Sequence, residues 1–535
     1  MLFQSLMVFS ACAVYFVLQT FITTYLPRKI PLMLNPSDDI FGRRHSIHLK
    51  QIGKFCIWYP IPAIALTLLF AIFCNGWGSL ENHPEAKYVI LALNGLLTWR
   101  AVTQDIDLVN NAALWWPRVV VLVSAFGAAI DPAFIIISLF TGFHFLRSYY
   151  HHQHMLFRVL LASLSVLGLS EIVARLPTAP GSGEWDITSF WLSACLFVVA
   201  SHYTTPGVGK LSLASTSFGW VKHNKLSNIA VGAYVWGWAR WIREPLFLEA
   251  IKRIKRGETF FQAATIIVEL SAFFILVNAA TSTALLIGFI AFHSAVFLLT
   301  GILFWQNISV SALILLVILV LPADTVAKSF GLVHFLGSLP LFLLIQIRQF
   351  IWITQKLSWW DTPLYQKMRF QVRGVSGQLY GLYNNFLCPD ERVFGQTYGK
   401  CFHSSRPLTS HIGETHHENL AKQLVELESA EDALAMCDES GRTDGKNDSD
   451  EQKDFTEYME KLFGALNRGE RKRVVPRWLK TPGGQCFYWG ELEAYNLQEP
   501  VAALEVFSED HFYKDDRIYL LNSSLVKRIE FAGDE

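Results

Sequence analysis

Charge is scarce in this chain. Asp, Glu, Lys and Arg make up 17% of its 535 residues, and long stretches before residue 350 carry almost no acid. Soluble domains are about a quarter charged, so this composition argues against a soluble fold for the first two-thirds. Basic and acidic residues balance at 45 each, and the basic excess that a nucleic-acid partner selects is missing. Paired cysteines are missing too. The 8 cysteines lie scattered with no Cys-x-x-Cys, which signals neither a zinc site nor a disulfide framework. No Walker A stretch and no dinucleotide-type glycine loop stands between a strand and a helix, and no Gly-x-Ser-x-Gly elbow occurs. Nucleotide-binding and serine-hydrolase chemistry therefore lack support. No internal repeat of fixed period is present.

Apolar and aromatic residues fill the space. The chain is 52% hydrophobic, with 40 Phe and 17 Trp, and its mean hydropathy is +0.30. Crossing about 30 Å of hydrocarbon takes about 20 residues. Runs near that length fall at 2–26, 54–75, 112–130, 132–146, 155–173, 187–203, 261–280, 284–305, 308–326 and 331–353. Segments 88–100 and 226–242 are weaker and read as re-entrant or interfacial. Continuous runs point to helices, which satisfy their own backbone in lipid, rather than to a closed barrel. The expected fold is mainly α: a polytopic transmembrane helical bundle of about eight to ten spans, with a smaller α+β soluble domain at the C-terminus. The first run lacks a positive leading region and continues past Ala11-Cys12-Ala13, so it reads as a span rather than a cleaved signal.

Basic residues set the orientation. Arg28, Lys29, Arg43, Arg44, Lys50 and Lys54 cluster in one loop, and Arg240, Arg243, Lys252, Arg253, Lys255 and Arg256 in another. The positive-inside rule places both loops in the cytoplasm, and span counting puts the C-terminal tail there as well. The protein is expected to be an integral, multi-pass membrane protein whose sequons at Asn307, Asn447 and Asn522 go unused in this orientation.

Beyond the spans, the stretch 354–437 reads as a juxtamembrane soluble segment. It opens with Trp359, Trp360, Lys356 and Lys367, which suit the headgroup layer. Alternation around Ser376-Gly377 signals a hairpin at 369–383. Residues 438–453 lack apolar side chains and read as an acidic flexible linker. Residues 454–535 form a module with a short helix at 454–467 and a β-rich end.

Ionisable residues inside spans are costly and mark candidate sites. Here they are His144, His154, Glu171, Lys210, Glu269 and His293. Lys210 ends an apolar run behind Pro206-Gly207. It is either an interface anchor whose stem snorkels or a base whose desolvated amine works near neutral pH. His154 closes the stretch HHQH, beside Tyr149 and Tyr150, which is either an interfacial polar turn or a substrate contact. Glu269 and His293 lie on neighbouring spans and are placed to pair with each other. Tyr203 and Trp220 are packing aromatics or pocket liners. A metal site at His151, His152 and His154 would need further His boxes on the same membrane face, and the remaining histidines are scattered; no metal is expected.

The stretch YTTPGVGKLSLASTSFGW (203–220) resembles the signature of the vitamin K-dependent γ-carboxylase-like (HTTM domain) family: an aromatic residue, a Gly, a Lys-Leu pair and a downstream Trp. A second stretch, 268–305, is similar to the family's later helical pair, with a Glu opening one helix and a Phe-His pair along the next. A third, HHQHMLFRVLLA (151–162), is similar to the place of a functional His. The likeness covers about 140–310 and divides the membrane part into N-terminal helices (1–140) and a carboxylase-like region (141–353). It implies a reduced, vitamin K-like quinone reacting with O2 and CO2, Lys210 as the initiating base and His154 as its catalytic partner. Tyr203, Trp220, Glu269 and His293 would line the lipid or quinone pocket. The implied activity is carboxylase- and epoxidase-like, lyase and oxidoreductase chemistry on a lipid or a peptide. The tail departs from the carboxylase pattern, being smaller and predicted cytoplasmic, which sets propeptide-guided glutamate carboxylation in doubt. The rival reading is non-enzymatic: a membrane transporter or scaffold whose tail binds a cytoplasmic partner. Asp131-Pro132 and Pro206-Gly207 would be its helix breaks.

Overall fold

The structure is a computed structural model that describes residues 2–20, 60–74, 76–81, 84–103, 115–145, 155–175, 186–216, 218–237, 242–351, 358–382, 408–409, 411–440, 450–470 and 492–531. The fold is mostly helical. In the first part of the chain the helices are α1 (Leu2–Thr20), α2 (Pro60–Phe73), α3 (Pro84–Thr103), α4 (Trp115–Ile130), α5 (Phe134–Phe145), α6 (Met155–Ala174), α7 (Ile187–Leu213), α8 (Gly219–His223), α9 (Leu226–Val235) and α10 (Glu244–Arg256). They continue as α11 (Glu258–Ser271), α12 (Ala279–Thr300), α13 (Trp305–Val320), α14 (Ala323–Lys328) and α15 (Leu332–Ile351).

Helix α7 is the hub. Asp186 caps its start by accepting from Thr188 N at 2.9 Å. Every residue from Thr188 to Thr205 is buried. A helix apolar all round belongs in the middle of a bundle, and α7 is enclosed by α1, α6, α11 and α15. The expected break at Pro206-Gly207 is not one: α7 runs through Pro206 to Leu213. Proline removes a single ladder hydrogen bond, to the carbonyl four residues back, and neighbouring helices can hold such a turn. The Asp131 break is real. It separates α4 from α5, and Asp131 Oδ1 accepts from Ala133 N at 2.8 Å to shape the corner.

Among the described residues, four helical stretches are long and apolar enough to cross a membrane: Met155–Ala174, Ile187–Leu213, Glu258–Leu276 and Ala279–Thr300. Around the rim, large apolar side chains face outward, among them Phe126, Ile130, Ile267, Leu298 and Leu319. The segment expected to be weak at 88–100 is a full helix, α3, which buries Asn94, Thr98 and Arg100.

After the bundle come β1 (Trp360–Asp361), β2 (Leu364–Gly374), β3 (Leu379–Gly381), β4 (Glu414–Thr415), α16 (Glu418–Glu426), α17 (Ala430–Glu439), α18 (Asp450–Asn467), β5 (Val501–Lys514) and β6 (Arg517–Glu530). Strands β3-β2-β5-β6 form one antiparallel sheet. The 354–437 segment and the 454–535 module each contribute strands to it. The β2–β3 hairpin turns at Ser376-Gly377, with Gly377 at φ +87. Helix α18 starts at Asp450, inside the stretch read as a linker, and residues 441–449 lie outside the described ones. Phe455, Met459, Leu462 and Phe463 of α18 share one face and pack on Met368, Phe370, Val372, Leu504 and Val506. The other sheet face is ionic. Glu509 pairs with Arg369 at 2.6 Å and Lys367 at 3.2 Å.

The sheet is keyed to the helices. Tyr365 Oη donates to Asn228 O at 2.9 Å, and Lys367 Nζ to Val235 O at 2.9 Å at the end of α9. Lys255 of basic α10 pairs with Asp516 of the β5–β6 turn at 2.9 Å.

Candidate functional site

The expected site residues fall into two places. Near the end of α7, Lys210 Nζ donates to both carboxylate oxygens of Glu269 on α11, at 2.5 and 2.7 Å. The pair is enclosed, with side chains 14% and 6% exposed. Lys210 is therefore held against Glu269 inside the protein. Glycine makes the approach possible. Gly207 lies one turn before Lys210 on the same face, and a Cβ there would meet Glu269 Cβ at 3.0 Å and Leu270 at 3.1 Å. Trp220 of α8 sets its ring 5.4 Å from the ammonium, within cation–π range, and donates through Nε1 to Trp359 O at 2.9 Å. Leu211, Ile266 and Leu270 complete the apolar surround.

Tyr203, two turns earlier on α7, and His293 on α12 lie elsewhere. The expected Glu269–His293 pair does not form, because Glu269 turns to Lys210 and His293 Nε2 instead meets Asn307 Nδ2 at 3.2 Å. Tyr203 stacks on Phe289 at 3.9 Å and sits 5.4 Å from the His293 ring. His154, His151 and His152 lie outside the described residues, and so does the His144 side chain. Glu171 is at the far end of α6, near Cys74, Asp131 and Arg175. Among the described residues no three His, Cys, Asp or Glu side chains gather as metal ligands.

Three participants escaped sequence reasoning. His202 sits just before the quoted motif, and its Nδ1 lies 3.1 Å from Arg158 Nη1 while its Nε2 lies 3.1 Å from Asn307 Nδ2. Arg158 interrupts an apolar run, which was the available signal. Asp361 is the third. It is buried where the sheet unit meets α8 and α9, and it accepts from Asn224 Nδ2 at 2.7 Å and Trp359 Nε1 at 3.0 Å. Burial pushes its carboxyl up to about 7, helped by nearby Glu414 and opposed by the Asn224 hydrogen bond.

Chemically, the Lys210–Glu269 pair offers a donor and an acceptor side by side in an apolar seam. Such a pair can hold a ligand hydroxyl and take its proton. Trp220 adds a flat surface for a ring. Comparison of the chain with protein families, curated proteins and solved structures finds no match.

Proposed function

We propose that the chain is an integral, multi-pass membrane enzyme of the vitamin K-dependent γ-carboxylase-like class, and that Lys210 and Glu269 form its proton-accepting site for a quinol or other isoprenoid lipid. The observation that carries this reading is the enclosed two-point clamp of Glu269 on Lys210, at the lysine of the family-like motif. The outward apolar rim supports a lipid environment. The contact of basic α10 with the β5–β6 turn supports a cytoplasmic sheet unit, since basic loops mark the cytoplasmic side.

A bound reduced quinone would supply an acidic hydroxyl and, towards O2, the reducing electrons, with CO2 as the carboxyl source. The chain's own residues would do the following. Trp220 would flank the ring, Lys210 Nζ would donate to the ring oxygen, and Glu269 would hold Lys210 in place. Lys210 becomes a base when its proton passes to the Glu269 carboxylate. The substrate modified by the enzyme would be a lipid or a peptide.

The test is mass spectrometry of lipids extracted from the detergent-purified protein, wild type beside Lys210→Ala. The proposal expects a quinone or isoprenoid enriched over bulk lipid in wild type and depleted in the variant. Bulk phospholipid alone in both samples would refute it and leave the transporter or scaffold reading, which flux measurements in proteoliposomes would test.

A further inference from the structure

The second polar cluster has a proton inventory that does not close. Arg158 on α6, His202 on α7, His293 on α12 and Asn307 on α13 are all buried, the most exposed being Arg158 at 8%. A guanidinium only donates, so His202 Nδ1 must accept from Arg158 Nη1. A neutral imidazole then carries its proton on Nε2 and donates towards Asn307. The amide oxygen of Asn307, rather than its nitrogen, therefore belongs between the two imidazoles. It accepts from both, and the amide NH2 is left facing the opposite way, towards the Tyr203 hydroxyl.

The same accounting leaves Arg158 short of partners. Its Nη1 is used by His202, and its buried Nε has no partner. Nε and Nη2 form the edge of the guanidinium that takes a carboxylate two-point. Among the described residues no Asp or Glu pairs with Arg158. Tyr15 on α1 also acts on it electrostatically, but a phenol brings no charge at neutral pH. The buried Tyr203 hydroxyl turns to Ser311 and Asn307, not to Arg158. A buried cation with no counter-ion and an unused Nε is costly unless an anion completes it.

We propose that this cluster is an internal binding site for a carboxylate, with Arg158 as its cation. It is independent of the Lys210–Glu269 reading. The surrounding helices are apolar, and a carboxylate can reach the site on a lipophilic acid from the bilayer or as a small acid from water.

Thermal unfolding of the purified full chain in detergent, titrated with oleate or with acetate, tests this together with retention of radiolabelled oleate. Oleate or acetate is expected to raise the midpoint of wild type. Arg158→Gln is expected to weaken that binding at least about tenfold, since a charge-assisted hydrogen bond contributes about 1.5–3 kcal/mol, and Arg158→Lys to weaken it less. A response to oleate alone supports a lipid-borne carboxylate, and a response to acetate supports a small one. Asn307→Asp, which builds a carboxylate into the network, is expected to keep or raise the ligand-free midpoint and abolish the response. No response of wild type to either acid would overturn the proposal. So would an unchanged response in Arg158→Gln or, should that variant fail to fold, in Asn307→Asp.

Discussion

Removing one member of the Lys210–Glu269 pair strands the other in apolar surroundings. Glu269 is the more enclosed, at 6% exposure against 14% for Lys210. Lys210→Ala thus leaves an enclosed carboxylate without its cation, and breaking a buried pair this way costs about 3–5 kcal/mol. Glu269→Gln leaves an ammonium on a flexible stem beside Trp220, and the amide retains one acceptor oxygen. Its cost is expected to be smaller, about 1–3 kcal/mol. Replacing both, Lys210→Met with Glu269→Leu, removes the charges together and is expected to be near neutral, as for other buried pairs exchanged for apolar residues of similar volume. With Lys210→Met and Glu269→Leu as the single variants, the double-mutant cycle should therefore show a coupling of about 2 kcal/mol or more. Denaturant unfolding in detergent, followed by tryptophan fluorescence and helical signal, measures all four proteins. An exposed anchor pair would contribute less than about 1 kcal/mol. Single-variant costs below that, adding without coupling, would refute the enclosed clamp.

Other expectations rest on separate parts of the fold. A Cβ at Gly232 would lie 2.4 Å from Ile412 O and 2.9 Å from the Tyr365 ring, so Gly232→Ala should lower stability by about 1–3 kcal/mol and loosen the sheet unit from α9, read by limited proteolysis. Asp361 is raised above its unfolded value, to about 7. The folded state therefore holds its proton more tightly, and its contribution is present at low pH and lost as pH rises from about 4 through 7. Asp361→Asn should flatten the fall in thermal midpoint between about pH 4 and 7, and an unchanged slope would contradict the assignment. Asn278 caps α12 by accepting from Thr281 N at 2.8 Å, so Asn278→Ala should cost about 1 kcal/mol in chemical unfolding.

The apolar runs made most of the helices legible, because burial in a bundle or in lipid demands continuous apolar sequence. Helix α3 was underrated because Asn94, Thr98 and Arg100 lower its hydropathy, and the chain buries them between helices instead. The length of α7 was underrated because Pro206 reads as a stop in one dimension. The ionic partner of Lys210 was not legible. Glu269 lies 59 residues away, and no periodicity ties two helices in register across that distance. The hydrophobic pattern favoured His293 as its partner, since that residue lies on the next span. Arg158 and His202 were legible only as single polar residues in apolar runs, and their joining needs the packing of α6 on α7. The sheet's joining of 364–374 to 501–514 was hidden for the same reason, although the Ser376-Gly377 turn was readable from local alternation.

The most direct test of the central claim is oxygen uptake by the purified protein in lipid nanodiscs supplied with a reduced vitamin K-like quinone, wild type beside Lys210→Ala, with folding of both checked by thermal unfolding. The account predicts quinol-dependent oxygen consumption by wild type and its loss in a folded Lys210→Ala variant. Equal consumption by the two, or none above empty nanodiscs in wild type, would contradict it.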